Sequence, residues 1–242
     1  MVEAHTATQR VAFFGGSFDP PHLGHLAVAR AARSALHLDE VLFAPVGAQP
    51  LKPLGSTAPF DDRVAMTELA IAGENGFVLS RMDAPDPAGK PNYTLHTLER
   101  LRAEMPYAEL FCLMGADAFA GLRNWHGAAR IPFVASLVVA SRPGQNLDQL
   151  AALLPAGLAL DAAAHSVSRT HNDLEPGIEL HHYSVRDAEG SAAAFYLLSG
   201  LDIEISASDI REQIRAGDGA GAGPPLLPAT VAQYIRTYGL YR

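Results

Sequence analysis

The chain has 242 residues, 48% of them hydrophobic, enough to bury a large core in one α/β domain or one domain with a small appendage. Its net charge of −8 argues against a general polyanion-binding surface, so nucleic acid is not an expected partner, although a local basic pocket remains compatible. One cysteine, Cys112, rules out an intrachain disulfide framework or a cysteine metal cluster. With no signal-like N-terminus and no run of ~18 apolar residues, a cytoplasmic protein away from membranes is expected.

An apolar run at 11–14 predicts the first strand. It enters Gly15-Gly16-Ser17-Phe18-Asp19-Pro20-Pro21-His22-Leu23-Gly24-His25, and an Ala-rich helix over 26–36 leaves it. A glycine turn lets backbone approach an anion closely, because no Cβ stands in the way. The first amides of the next helix are donors at the positive end of its dipole. Together they form an anion site, which His22 and His25 can reach from the side. Taken alone, a Gly-Gly pair also suits a plain βα turn.

Further apolar runs predict strands at 41–45, 77–81, 110–114 and 133–140, and a last one including 201–205. Helical periodicity covers 60–72 and 93–105. The alternation predicts an α/β fold: a Rossmann-like doubly wound parallel sheet with helices on both faces and right-handed crossovers. Ligands of such sheets bind beyond the carboxyl ends of the strands, near the switch in strand order. The whole chain, 1–242, reads as a single domain. Residues 161–194 are expected as a surface insertion, a polar loop whose histidines show no metal-ligand spacing. Residues 217–225 are Gly/Ala/Pro-rich and read as a flexible loop. A C-terminal helical segment is expected over 226–242, with Pro228 near its start and Gly239 near its end.

A second chemical signal is Ile205-Ser206-Ala207-Ser208-Asp209-Ile210-Arg211. Ser206 or Ser208 can cap the helix that follows, and Arg211 lies one turn in. Hydroxyls, a helix N-terminus and a bidentate guanidinium suit a polyphosphate. Between the two signals lie Asn92-Tyr93-Thr94, Gly115-Ala116-Asp117 and Leu122-Arg123-Asn124-Trp125-His126, the last holding the only tryptophan.

The first string resembles the GGxFDPxHxGH signature of the nucleotidyltransferase superfamily, and the second resembles its ISxTxIR motif, with Ser208 in place of threonine. The middle segments resemble the YTxxTL and GADxxxxLxxW patterns of bacterial nicotinate-nucleotide adenylyltransferases. The resemblance spans about residues 10–160 and 200–242. It implies transfer of the adenylyl group of ATP to nicotinate mononucleotide, giving nicotinate adenine dinucleotide and pyrophosphate. It also implies Mg²⁺ held mainly by substrate phosphates, with no protein metal site, and it allows a homo-oligomer.

By that resemblance, His22, His25 and Arg211 are catalytic, and Gly15, Gly16, Ser17 and Phe18 line the phosphate turn. Ser206 and Ser208 would hold the leaving pyrophosphate. Trp125 would stack on the pyridine ring. Thr94 and amides near Tyr93 and His126 would meet the nicotinate carboxylate. Asp117 would lie near a ribose hydroxyl or a metal-bound phosphate, and Gly115 belongs to the same substrate-binding set. Lys52 stands at the family's PHK lysine, with Leu51 replacing its histidine, and Arg142 lies in an SRPG-like turn at the adenine pocket. Arg63 also falls where the family pattern has an arginine. Two other readings share the first two motifs. One is adenylyl transfer to nicotinamide mononucleotide or phosphopantetheine. The other is a non-catalytic adenine-nucleotide-binding protein.

Overall fold

The computed structural model describes residues 8–51, 55–141, 147–169, 177–201, 205–217 and 226–242. The first half alternates strand and helix: β1 (Arg10–Gly16), α1 (Leu23–Leu36), β2 (Glu40–Pro45), α2 (Phe60–Ile71), β3 (Phe77–Leu79), α3 (Thr94–Glu104) and β4 (Glu109–Gly115). Next come α4 (Ala116–Gly121), two 3₁₀ turns at Leu122–Asn124 and Ala128–Arg130, α5 (Ile131–Val134), β5 (Ser136–Ala140) and α6 (Leu147–Ala151). The chain closes with β6 (Leu158–Arg169), β7 (Glu179–Asp187), β8 (Ala192–Ser199), α7 (Ala207–Arg215) and α8 (Ala229–Tyr238).

Among the described residues the strands form one eight-stranded sheet in the order β3-β2-β1-β4-β5-β8-β7-β6. The run from β3 to β8 is parallel. Strand order reverses beside β1, which pairs with β2 on one side and β4 on the other. A crevice therefore opens past Gly16 and Gly115, the carboxyl ends of these two strands.

Alternate residues of β1 feed opposite faces. Val11 and Phe13 pack with Leu95, Leu98 and Leu101 of α3, whereas Ala12 and Phe14 pack with Leu26, Ala29 and Ala32 of α1. Strands covered on both sides must be apolar at successive positions, which is why these runs were legible. A separate apolar cluster joins Met66 and Ala70 of α2 to Val231 and Ile235 of α8. Gly239 ends α8 at φ 63°, a left-handed position that favours glycine.

Several expectations change. The polar stretch from 161 is not a loop over its described length: β6 and β7 form an antiparallel extension of the sheet on β8. Its outer face is solvated, so its strands read as polar, while Tyr183 and Val185 point into the core with Phe195 and Leu197. His165 stacks on Tyr183 at 4.6 Å, and His182 stacks on Tyr196 at 4.8 Å. The run at 133–140 is divided, with Phe133 and Val134 in α5 and the strand starting at Ser136. Among the described residues the last strand is β8, which ends at Ser199, and residues 202–204 of the strand expected over 201–205 lie outside the described residues. Residues 218–225 lie outside the described residues. No helix among the described residues is long and apolar enough to cross a membrane.

Candidate active site

The crevice is a cavity of about 1010 Å³. Gly15, Gly16, Ser17, Phe18, His22 and His25 line it from the β1–α1 connection. Tyr93 and Thr94 come from the start of α3, and Gly115, Asp117, Trp125 and His126 from the segment after β4. Ser206, Ser208 and Arg211 close it from α7. Lys52 and Arg142 lie outside the described residues. Leu51 lines the cavity with 57% of its surface exposed.

His22 is the N-cap residue of α1, and its ring lies 3.7 Å from that of His25, centre to centre. The His22 backbone N–H donates to His25 Nδ1 at 3.2 Å. A neutral His25 therefore carries its proton on Nε2, the nitrogen left to donate to a ligand. Phe18 packs on the His25 ring at 4.9 Å. Burial lowers His22 to about 4, and burial with the neighbouring His22 lowers His25 well below the usual range. Both rings are thus neutral at pH 7, each with one N–H able to donate, rather than fixed cations. One expectation is corrected: the first amide of α1 is not free for an anion, because Leu23 N–H donates to Leu226 C=O at 3.0 Å.

The two motifs meet through Arg211. Its Nη1 donates to the Asp19 carbonyl at 2.7 Å, and its Nη2 donates to Ser208 Oγ at 3.1 Å. Ser206 caps α7 by accepting from Ser208 N–H at 3.2 Å. At the other end, the Tyr93 and His126 rings lie 4.5 Å apart, with His96 against both. Trp125 follows the 3₁₀ turn and packs partly against the core.

Arg63, near the start of α2, is buried rather than solvated. It is 2% exposed, and its guanidinium donates to the carbonyls of Ala58, Ser17 and Val46 at 3.2, 2.6 and 2.7 Å. Desolvation lowers its pKa, and the nearby Asp19 carboxylate opposes that shift. Arg63 therefore braces the glycine turn from behind.

A family model described as cytidylyltransferase-like matches residues 13–213. A "probable nicotinate-nucleotide adenylyltransferase" of Gloeobacter violaceus is 36% identical over 233 residues, covering 96% of each chain. A protein of the same name from Geobacter sp. (strain M21) is 34% identical, covering 96% of this chain and 98% of its own.

The chain belongs to the nicotinate-nucleotide adenylyltransferase family.

The nicotinic acid mononucleotide adenylyltransferase of Plasmodium falciparum, solved with NaAD, superposes with a TM-score of 0.65 over 96% of this chain and 97% of that one. At 15% identity that likeness shows the Rossmann-like nucleotidyltransferase fold alone. The family patterns assign no role to three residues at or beside the cavity, Asp19, Asp83 and Tyr241. Asp19 stands inside the first motif, where its carboxylate accepts from Thr57 N–H at 2.6 Å, Ala58 N–H at 3.0 Å and Tyr241 O–H at 2.8 Å. Asp83 lies in the β3–α3 loop and also lines the cavity. Nothing in the sequence near Asp83 or Tyr241 signals a site, because their partners are distant in the chain.

Among the described residues no group of three or more His, Cys, Asp or Glu side chains is placed to hold a metal ion. Asp117, on the first turn of α4 at the cavity, suits an outer position around a hydrated cation that is carried by phosphates.

Proposed function

We propose that this chain transfers the adenylyl group of ATP to nicotinate mononucleotide, with the residues of the two converging motifs as its machinery. An acceptor phosphate oxygen attacks the α-phosphorus in line. The bond from that phosphorus to the bridging oxygen breaks, and pyrophosphate leaves with both bonding electrons. The nucleophile is already an anionic oxygen, so no covalent enzyme intermediate is needed. Catalysis is then positioning plus charge stabilisation.

The observation that carries this reading is the Arg211 bridge, which brings the α7 clamp to the glycine-histidine turn in one cavity. In this reading the Gly15–Ser17 amides hold the acceptor phosphate. His22 and His25 donate to the α-phosphate and the bridging oxygen. Arg211, Ser206 and Ser208 neutralise the leaving pyrophosphate. Tyr93, Thr94, Trp125 and His126 receive the pyridine ring and its carboxylate. Backbone amides and a hydroxyl are donors, which suit a carboxylate, whereas a carboxamide also needs an acceptor. When bound, Mg²⁺ supplies positive charge to the phosphate oxygens, held by those oxygens and water. Lys52 near the phosphates and Arg142 at the adenine pocket complete the proposed set. The chain acts as one nucleotidyltransferase domain in the cytoplasm.

The test is pyrophosphate release with ATP and Mg²⁺, comparing nicotinate with nicotinamide mononucleotide and phosphopantetheine. Strong preference for the nicotinate form is expected. Preference for another acceptor keeps adenylyl transfer and overturns the roles of Thr94 and Trp125. Release with none overturns the catalytic reading.

A further inference from the structure

Asp83 is 3% exposed, yet it lines the cavity. One carboxylate oxygen accepts a hydrogen bond from the Thr97 hydroxyl, in the first part of α3. The other lies 3.8 Å from where a Cβ on Gly15 would stand. The backbone around it is pinned. Gly47 N–H donates to Asp83 C=O at 2.7 Å, and Asn92 Nδ2 donates to Ala84 C=O at 3.0 Å. Gly47 runs so close to this loop that a Cβ there would sit 2.4 Å from Pro85 N. The carboxylate thus stands between the glycine turn and the start of α3.

These are the two ends of the proposed acceptor site, phosphate at Gly15 and pyridine at Tyr93 and Thr94. What spans them in a mononucleotide is ribose. A carboxylate repels the phosphate and the nicotinate carboxylate, but it accepts from hydroxyls. Of an acceptor's parts, only the sugar's cis-diol offers such donors. Resting on the reading of the acceptor as a pyridine mononucleotide, we propose that Asp83 is a specificity-determining residue that accepts hydrogen bonds from the acceptor's ribose hydroxyls. Burying a carboxylate is costly unless its lone pairs find donors, and Thr97 satisfies one oxygen. Burial accordingly raises the Asp83 pKa, against the Thr97 hydrogen bond and the charge of Arg100. The diol completes the set.

The experiment compares kcat/KM for nicotinate mononucleotide and its 2′-deoxy and 3′-deoxy forms. The proteins are wild type, Thr97→Val and the double variant Asp83→Ala/Thr97→Val. The double variant removes both partners of the internal hydrogen bond, and Thr97→Val removes that bond but keeps the carboxylate. Wild type and Thr97→Val should disfavour at least one deoxy acceptor by about 10-fold or more, the loss expected for a hydrogen bond to a charged group. The double variant should treat all three acceptors alike, with KM for ATP changed by less than about twofold. A double variant that still discriminates overturns the proposal. Equal use of ribo and deoxy acceptors by wild type also overturns it, and that comparison needs no variant to fold. Wild type inactive with nicotinate mononucleotide overturns the reading of the acceptor, and this proposal with it.

Discussion

The hydroxyl of Tyr241 donates to the buried Asp19 carboxylate at 2.8 Å, across 222 positions of sequence. Asp19 also accepts from two amides of the loop before α2, and its carbonyl accepts from Arg211. The glycine-histidine turn is therefore tied at one residue to the C-terminal segment, the loop before α2 and α7. Tyr241→Phe keeps the ring in its apolar cluster and deletes only the hydroxyl. We expect a loss of about 2 kcal/mol in unfolding free energy, the scale of a hydrogen bond to a charged group. Urea titration of the variant beside wild type checks it, and equal midpoints would remove Tyr241 from this role.

Arg63 makes three bonds to carbonyls of three separate segments. Lysine puts its charge on one nitrogen and cannot reproduce that fork. Arg63→Lys should cost roughly 3 kcal/mol of stability through orphaned buried carbonyls. Turnover should fall with it, because Ser17 C=O is one of the three. Thermal unfolding in parallel with pyrophosphate release tests both, and an unshifted transition would contradict the brace.

His25→Ala removes a positioned donor whose tautomer is set by His22 N–H. Loss of such a donor costs on the order of 10²-fold in rate. Circular dichroism should stay near wild type while kcat drops and KM for ATP changes little. Turnover near wild type would sink the assignment.

Stability should depend on pH through the histidine pair. The unfolded chain takes up these protons near pH 6.5, whereas folded His22 does so at about 4 and His25 well below 6.5. The unfolded state thus binds more protons inside that window, so stability rises with pH there. Above about 7 both states are neutral and the contribution is fully present. As pH falls from 6.5 towards 4, a few kcal/mol should be lost. The difference in unfolding free energy between wild type and His22→Asn, measured across this range, isolates the effect from carboxylate titration. A pH-independent difference would mean that His22 titrates normally in the fold.

The strands at 11–14, 41–45 and 110–114 were legible because double-sided burial demands unbroken apolar runs, whereas β8, also in the parallel run, was not expected from the sequence. The glycine-histidine turn and the Ser206-to-Arg211 clamp were legible because local backbone geometry places those residues at helix starts, whatever surrounds them. The hairpin of β6 and β7 was not, since a sheet with one wet face mixes histidines and arginines with Tyr183 and Val185. Only the tertiary structure decided that Arg63 is buried rather than solvated, and that Asp83 faces the cavity. It alone joined Tyr241 and Arg211 to Asp19. A charged side chain carries no local mark of its partner, and each of these partners is brought near by packing of segments far apart in the chain.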